Sequence, residues 1–315
     1  MNFLSLLETE VQKLENKTIL LIDGDDPRAI SAAILAKKYK NLNIVLLVEK
    51  EIENTDGLNI INMNQNSDKI EELANKYVEI RKGKDTIETA RKLLKTRPFY
   101  AMMLLATKEV DGVVGGLNYS TADILRAAFK TIGPKEGIKT ISSVMIMHKN
   151  DETYFFTDIS VNPKPELNAL VDIAKNAASF AKSFSIEPKL AFLSFSTDGS
   201  AVTPETQMIS EACRKFNEEY DGLNAIGEIQ LDAALDLKVR ELKYKHDSYN
   251  SPSNVLVFPD LNAGNIGYKI AQRLGNFGAI GPIITGVKMP VNDLSRGSTV
   301  DDVLNTILIT AMQTK

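Results

Sequence analysis

Near its carboxyl end the chain runs Pro290-Val291-Asn292-Asp293-Leu294-Ser295-Arg296-Gly297-Ser298-Thr299, and Asp302 follows. These residue types suit an anion. An arginine offers a rigid fork of donors that matches phosphate. Ser295, Ser298 or Thr299 can cap a helix, whose free N–H groups also favour an anion. If a helix starts here, Asp302 falls within about two turns of Arg296, and both can face one space. An anion clamp beside a carboxylate base is what transfer from an acyl phosphate requires. The plainer alternative is a capped surface helix with a solvated Arg and Asp.

Other segments have the strand–loop–helix form that places ligands at the carboxyl ends of parallel strands. In Val113–Arg126 the paired Gly115 and Gly116 let backbone approach a ligand, and Ser120 or Thr121 caps the helix that carries Arg126. Ser194–Glu205 surrounds Gly199 with small hydroxyl residues that cradle phosphate or merely make turns. Phe258-Pro259-Asp260-Leu261-Asn262-Ala263-Gly264-Asn265-Ile266-Gly267-Tyr268 puts two asparagines and two glycines straight after a strand, more polar and flexible than packing demands. Tyr77–Lys84, with Arg81, is a basic cluster in an acidic protein, fit for an anionic substrate or simply a solvated face. Asp232 reads more readily as a surface-helix residue than as a ligand contact.

The elements that must position these residues alternate. Thr18–Ile22 and Asn43–Val48 are apolar, branched runs that read as buried strands, and Leu58–Met63 and Val110–Val114 as further strands. Helices are expected from Pro27, over Lys69–Tyr77, Thr86–Leu94 and Thr121–Lys130. The first of these would bury Ile30, Ala33, Ile34 and Ala36. The second half repeats the style. Its strands are Thr140–Met147, Thr153–Thr157, Leu190–Phe195, Val255–Phe258 and Ala279–Thr285. Its helices are Leu167–Phe184, Pro204–Tyr220, Gly267–Leu274 and Asp301–Met312. Such alternation implies α/β architecture with mostly parallel sheets.

Length and composition limit the function classes. At 315 residues two domains are expected, with a boundary near residue 140. Hydrophobic content of 43% and charged content of 25% are those of an ordinary globular protein. A net charge of −4 gives no reason to expect nucleic-acid binding. The apolar runs are too short or broken to span a membrane, and the amino terminus lacks the basic region of a signal peptide. The single Cys213 excludes an intrachain disulfide and fits a reducing, cytoplasmic compartment. His148 and His246 are the only histidines, and neither has a neighbour at metal-ligand spacing, so no metal is expected. Neither a P-loop, a GxSxG elbow nor a GxGxxG turn is present.

Taken together, these segments resemble the phosphate acetyltransferase / phosphate butyryltransferase family over nearly the whole chain. The resemblance is densest in Val255–Arg273 and Ile280–Gly297. The Asp-Leu-Asn-Ala-Gly-Asn and Pro-Val-Asn-Asp-Leu-Ser-Arg-Gly runs are closer to the acetyl than to the butyryl enzymes. The resemblance implies two α/β domains around a cleft that holds the active site, similar to the isocitrate and isopropylmalate dehydrogenases. Residues 1–139 with 287–315 would form the first domain and 140–286 the second. It also implies a homodimer. The implied reaction is reversible acetyl transfer between acetyl phosphate and CoA, by direct thiolate attack in a ternary complex. CoA is a substrate, and no cofactor is needed. Ser295 and Arg296 match the family's serine-arginine pair at the reacting group, and Asp302 the aspartate assigned to the thiol proton. Arg81 and Arg126 match arginines implicated in CoA or phosphate binding. Ser120, Thr121, Asn262, Gly264 and Asn265 join them as candidate substrate or CoA contacts. Family members often carry Cys where this chain has Ser298, so no thiol is essential here.

The chemistry is within reach of these groups. A thiol like that of free cysteine, with pKa about 8.5, costs roughly 2 kcal/mol to deprotonate at pH 7. An unperturbed aspartate falls short of it by roughly 6 kcal/mol as a full acceptor. Asp302 is therefore expected either to have a raised pKa or to take the proton only as the C–S bond forms. The rival expectations are a butyryl- or propionyltransferase and a non-catalytic CoA or acyl-phosphate binding module. The intact Ser295, Arg296 and Asp302 set weighs against the module.

Overall fold

The computed structural model describes residues 2–53, 55–246 and 248–315. The chain divides into two compact units. One contains Met1–Leu6 and Lys135–Gly286, the other Leu7–Pro134 and Val287–Lys315. Helix α1 (Phe3–Val11) runs across their first boundary.

In the unit that holds both termini of the long segment Leu7–Pro134, the order is β1 (Lys17–Leu21), α2 (Pro27–Ala36), β2 (Leu42–Val48), β3 (Asn59–Asn62), α3 (Ser67–Arg81), α4 (Ile87–Leu93), α5 (Arg97–Ala106), β4 (Gly112–Gly115) and α6 (Thr121–Thr131). Its sheet is parallel throughout, with strand order β11-β4-β1-β2-β3, where β11 is Val291–Asp293 near the carboxyl terminus. A parallel sheet covered on both faces needs strands apolar on both sides, which the Ile19–Leu21 and Ile44–Val48 runs supply. One face packs on Leu73, Tyr77, Met103 and Ile124 of α3, α5 and α6. The other packs on Ala29 and Ala33 of α2 and on Val303 and Ile307 of the last helix, α12 (Val300–Met312). The buried face of α2 is Ala29, Ala32, Ala33 and Ala36, while Ile30 and Ile34 are only half-buried. Small residues let α2 lie close to α12, which displaces the larger ones to the flank. Helix α5 is buried from Arg97 to Leu105 and has no polar face for a periodic pattern to reveal.

The other unit runs β5 (Ser142–Lys149), β6 (Glu152–Thr157), α7 (Leu167–Ser183), β7 (Leu190–Leu193), α8 (Pro204–Glu219), β8 (Ile226–Ile229), α9 (Leu231–Leu235), α10 (Leu237–Lys243), β9 (Val255–Val257), α11 (Leu261–Arg273) and β10 (Gly278–Thr285). Its sheet is mixed, with order β10-β5-β6-β9-β7-β8. The first two pairings are antiparallel and the remaining three parallel. Helix α11 starts well before the expected Gly267, because Asp260 caps it by accepting the Ala263 N–H at 2.9 Å. Among the described residues no helix is long and apolar enough to cross a membrane.

Candidate active site

Three loops leave the carboxyl ends of the adjacent strands β1, β4 and β11: residues 22–26, 116–120 and 294–299. Each runs into a capped helix. Asp26 caps α2 by accepting the Arg28 N–H at 2.9 Å, and Ser120 caps α6 by accepting the Asp123 N–H at 3.2 Å. Thr299 caps α12 in a reciprocal box: its hydroxyl accepts the Asp302 N–H at 3.2 Å while Asp302 Oδ2 accepts the Thr299 N–H at 2.8 Å. The loops thus put three sets of helix N–H groups at one edge of the sheet, where an anion is favoured.

Ser295 and Arg296 sit on the third loop, exposed. Ser295 Oγ accepts the Gly297 N–H at 3.2 Å, which leaves its own proton free to donate elsewhere. The Arg296 guanidinium has no hydrogen-bond or ion-pair partner among the described residues. Asp302 Oδ2 also accepts the Thr299 hydroxyl at 2.9 Å, and Oδ1 has no partner among the described residues.

The loops are locked to one another by residues that, Thr121 apart, local sequence patterns did not single out. Arg28 donates through Nη1 to the carbonyls of Arg296 at 2.7 Å and Ser298 at 3.0 Å. Its Nε and Nη2 grip Asp26 at 3.0 and 2.8 Å. That hydrogen-bonded pairing holds the Asp26 carboxyl below the usual carboxylate range. Asn118 donates to the same carboxylate at 3.2 Å, so one ion pair joins all three loops. Asp23, 1% exposed, accepts the N–H groups of Gly116, Leu117 and Asn118 at 2.9, 3.1 and 3.0 Å. Burial pushes its carboxyl up and the three amides pull it down, with burial the stronger. Arg97, at the start of α5, grips Asp25 through both terminal nitrogens, at 2.5 and 2.7 Å. Thr121 donates to Asp293, the last residue of β11. The only cue in the sequence was a polar run, Asp23 to Arg28, directly after an apolar strand.

Arg81 and Arg126 stand apart from this edge in their contacts. Arg81 ends α3 and donates to Asp85 at 2.7 Å, and the Tyr77 hydroxyl meets the same oxygen at 2.9 Å. Lys130 of α6 lies 3.7 Å from the other Asp85 oxygen. Arg126, one turn earlier on α6, is largely exposed and pairs loosely with Asp123 at 3.6 Å. No hydrogen bond among the described residues links Arg81 or Arg126 to Arg296.

Asn262, Gly264 and Asn265 lie in the first turns of α11 rather than in a flexible loop. Gly264 is a packing residue: a Cβ there would stand 2.3 Å from the Asp158 carbonyl oxygen. Asn265 donates to the Ile159 carbonyl at 3.2 Å, which ties the helix to the same segment. Asn262 is exposed and lines a cavity of about 390 Å³ with Pro163, Ser194, Phe195 and Met208. Asp232 pairs with Lys243 at 2.6 Å on the α9–α10 surface. Cys213 is buried, and burial pushes its thiol up to about 12, so it is inert as a nucleophile. Among the described residues no three His, Cys, Asp or Glu side chains are grouped to hold a metal ion.

Comparison with known proteins agrees over the full chain. The family model described as phosphate acetyl/butaryl transferase matches residues 3–311. A phosphate acetyltransferase from Bacillus subtilis (strain 168) is 42% identical, with 98% of each chain covered. A phosphotransacetylase structure from Streptococcus pyogenes superposes with a TM-score of 0.93 at 38% identity, covering 100% of this chain and 99% of the other. An EutD phosphotransacetylase from Staphylococcus aureus gives a TM-score of 0.91 at 37% identity over both whole chains. The chain belongs to the phosphate acetyl/butaryl transferase family, a family of acyltransferases.

Proposed function

We propose that this family member catalyses the reversible transfer of acetyl between acetyl phosphate and CoA, by direct attack of the CoA thiolate in a ternary complex. The observation that carries the reading is the Ser295–Arg296 loop, with its carbonyls bonded to Arg28 and the Arg296 guanidinium unpartnered among the described residues. Arg296 binds the phosphoryl group and neutralises the charge that grows on it as the C–O bond breaks. Ser295 turns its free proton to the acyl oxygen as that becomes an oxyanion. Asp302 receives the thiol proton on Oδ1 as the C–S bond forms, since Oδ2 is committed to Thr299. Concerted transfer spares the carboxylate from holding the proton alone, and inorganic phosphate leaves. The first turn of α6, capped by Ser120, offers its N–H groups to the phosphate. Arg81 and Arg126 hold the anionic portions of CoA. The working form is a homodimer.

The test is direct. Purified protein is given acetyl phosphate and CoA while thioester absorbance is followed, with butyryl phosphate in parallel. Rapid acetyl-CoA formation inhibited by phosphate is the expected result. Faster reaction with butyryl phosphate would replace acetyl by a longer acyl group. Silence with both donors, from folded protein that still binds CoA, would sink the catalytic reading.

A further inference from the structure

Asp293 is buried, 4% exposed, at the end of β11 and directly before the Ser295–Arg296 loop. Its Oδ2 accepts the Thr121 hydroxyl, at the first position of α6. Its Oδ1 is buried and without a partner among the described residues. The reason for that isolation is Gly116. This residue has φ +110°, and a Cβ there would stand 2.3 Å from Asp293 Oδ1, so the carboxyl is pressed against bare backbone. The Gly116 N–H points the other way, to Asp23. The Leu294 N–H, next along the chain, is spent on the Gly115 carbonyl at 2.6 Å. A buried, half-satisfied carboxylate is costly, and a native structure retains one for a reason.

We infer that Asp293 is a positioning residue of the reaction: through Thr121 it fixes the first turn of α6 against the root of the Ser295–Arg296 loop, and its protonation state sets how tightly that turn holds a phosphoryl group. This rests on the acyl-transfer reading given above. Three elements face Asp293. The β1 loop contributes Asp23, α6 the Thr121 hydroxyl, and the loop after β4 the backbone of Gly116. Burial first, and then the charge of Asp23, push the Asp293 carboxyl up to about 6 against the pull of Thr121. Below that pH the group is neutral and adds no charge beneath the anion-binding turn, whose own Asp123 is held below the usual carboxylate range by the Ser120 hydroxyl. Above it a further negative charge appears beneath the same turn and repels the bound phosphoryl group. Asp293 is closed off from solvent and touches no reacting atom, so its effect belongs to substrate binding more than to the chemical step.

The experiment compares wild type with Asp293→Asn, which keeps an acceptor for Thr121 and cannot ionise. KM for acetyl phosphate and kcat are measured from pH 5 to pH 8, and inorganic phosphate is titrated into both proteins by calorimetry. One unit charge at this range should make the ratio of wild-type to variant KM climb by roughly three- to tenfold across the interval. The kcat ratio should move less. Thr121→Val supplies a second reading. It removes the hydroxyl that favours the ionised form, so the wild-type inflection should move to higher pH. A KM ratio flat with pH, or an inflection that stays put in Thr121→Val, would overturn the inference. Should wild type make no acetyl-CoA, the proposed function fails on its own, while the phosphate titrations still read the role of Asp293.

Discussion

Removing the Arg28 side chain should cripple turnover without removing any group that touches substrate. Arg28 makes two charge-assisted bonds to the carbonyls of Arg296 and Ser298, and a two-point grip on Asp26. Hydrogen bonds to a charged group are worth about 1.5–3 kcal/mol each, and Arg28 is 30% exposed, so the lower figure applies. Together the two carbonyl bonds hold the loop by roughly 3 kcal/mol. Released, Ser295 and Arg296 would wander from the geometry the transition state needs, and a displacement of about 1 Å can cost 10²-fold. The expected result for Arg28→Met is therefore a fall in kcat of about 10²-fold. Asp26, only 8% exposed, would be left without its cation, so some stability is lost as well. The double variant Arg28→Met with Asp26→Asn separates the two effects: it should recover stability and leave kcat low. Steady-state kinetics and denaturant unfolding on wild type and the two variants decide the matter. Folded Arg28→Met protein turning over within about threefold of wild type would refute the clamp.

Arg296→Gln should lower kcat by about 10²–10³-fold with no change in the unfolding midpoint, because an exposed guanidinium without a partner among the described residues contributes little to stability. Equal losses in both would make Arg296 structural. Asp293 sets a pH signature on folding. Its carboxyl rises from an ordinary 3.8 to about 6 in the folded protein, so the unfolded chain ionises first and stability falls as pH climbs between those values. The decline should reach ~3 kcal/mol above pH 6 relative to Asp293→Asn, measured by denaturant unfolding at pH 4 and pH 7. Parallel curves for the two proteins would mean that Asp293 does not titrate in that window. The proposed homodimer has a natural contact face along α11 and its carboxyl-terminal cap, where Ile266, Ile270 and Leu274 are 57%, 53% and 80% exposed at a spacing of four residues. Leu274→Glu should convert dimer to monomer in light scattering, and an unchanged mass would move the interface elsewhere.

What the sequence made legible, and what it hid, follows from the range of the interactions. Strands β1 and β2 are continuous apolar runs because both faces of a parallel sheet are covered, and such runs are visible locally. Helix α5 is apolar all round and β11 is three residues long, so neither leaves a periodic trace. The polar start of α11 looked like loop because its glycine makes room for the Asp158 carbonyl, a neighbour supplied by another strand's end. The site divides in the same way. The Ser295, Arg296 and Asp302 set is readable because its members are close in sequence, on a loop that leads into the helix capped by Thr299 and Asp302. What holds that set in place is remote: Arg28 reaches carbonyls 268 and 270 residues away, Asp23 gathers amides 93 to 95 residues away, and Thr121 meets Asp293 across 172. Asp23, Asp25 and Asp26 fall between the apolar run Thr18–Ile22 and the helix expected from Pro27, with nothing local to tell them apart. In the fold each carboxylate answers to a different element, Asp23 to the β4 loop, Asp25 to α5 and Asp26 to Arg28 with its bonds to the β11 loop. Local chemistry therefore singles out the candidate groups. The precision with which they are held comes from a segment whose purpose appears only once the parallel sheet has brought three strand ends side by side.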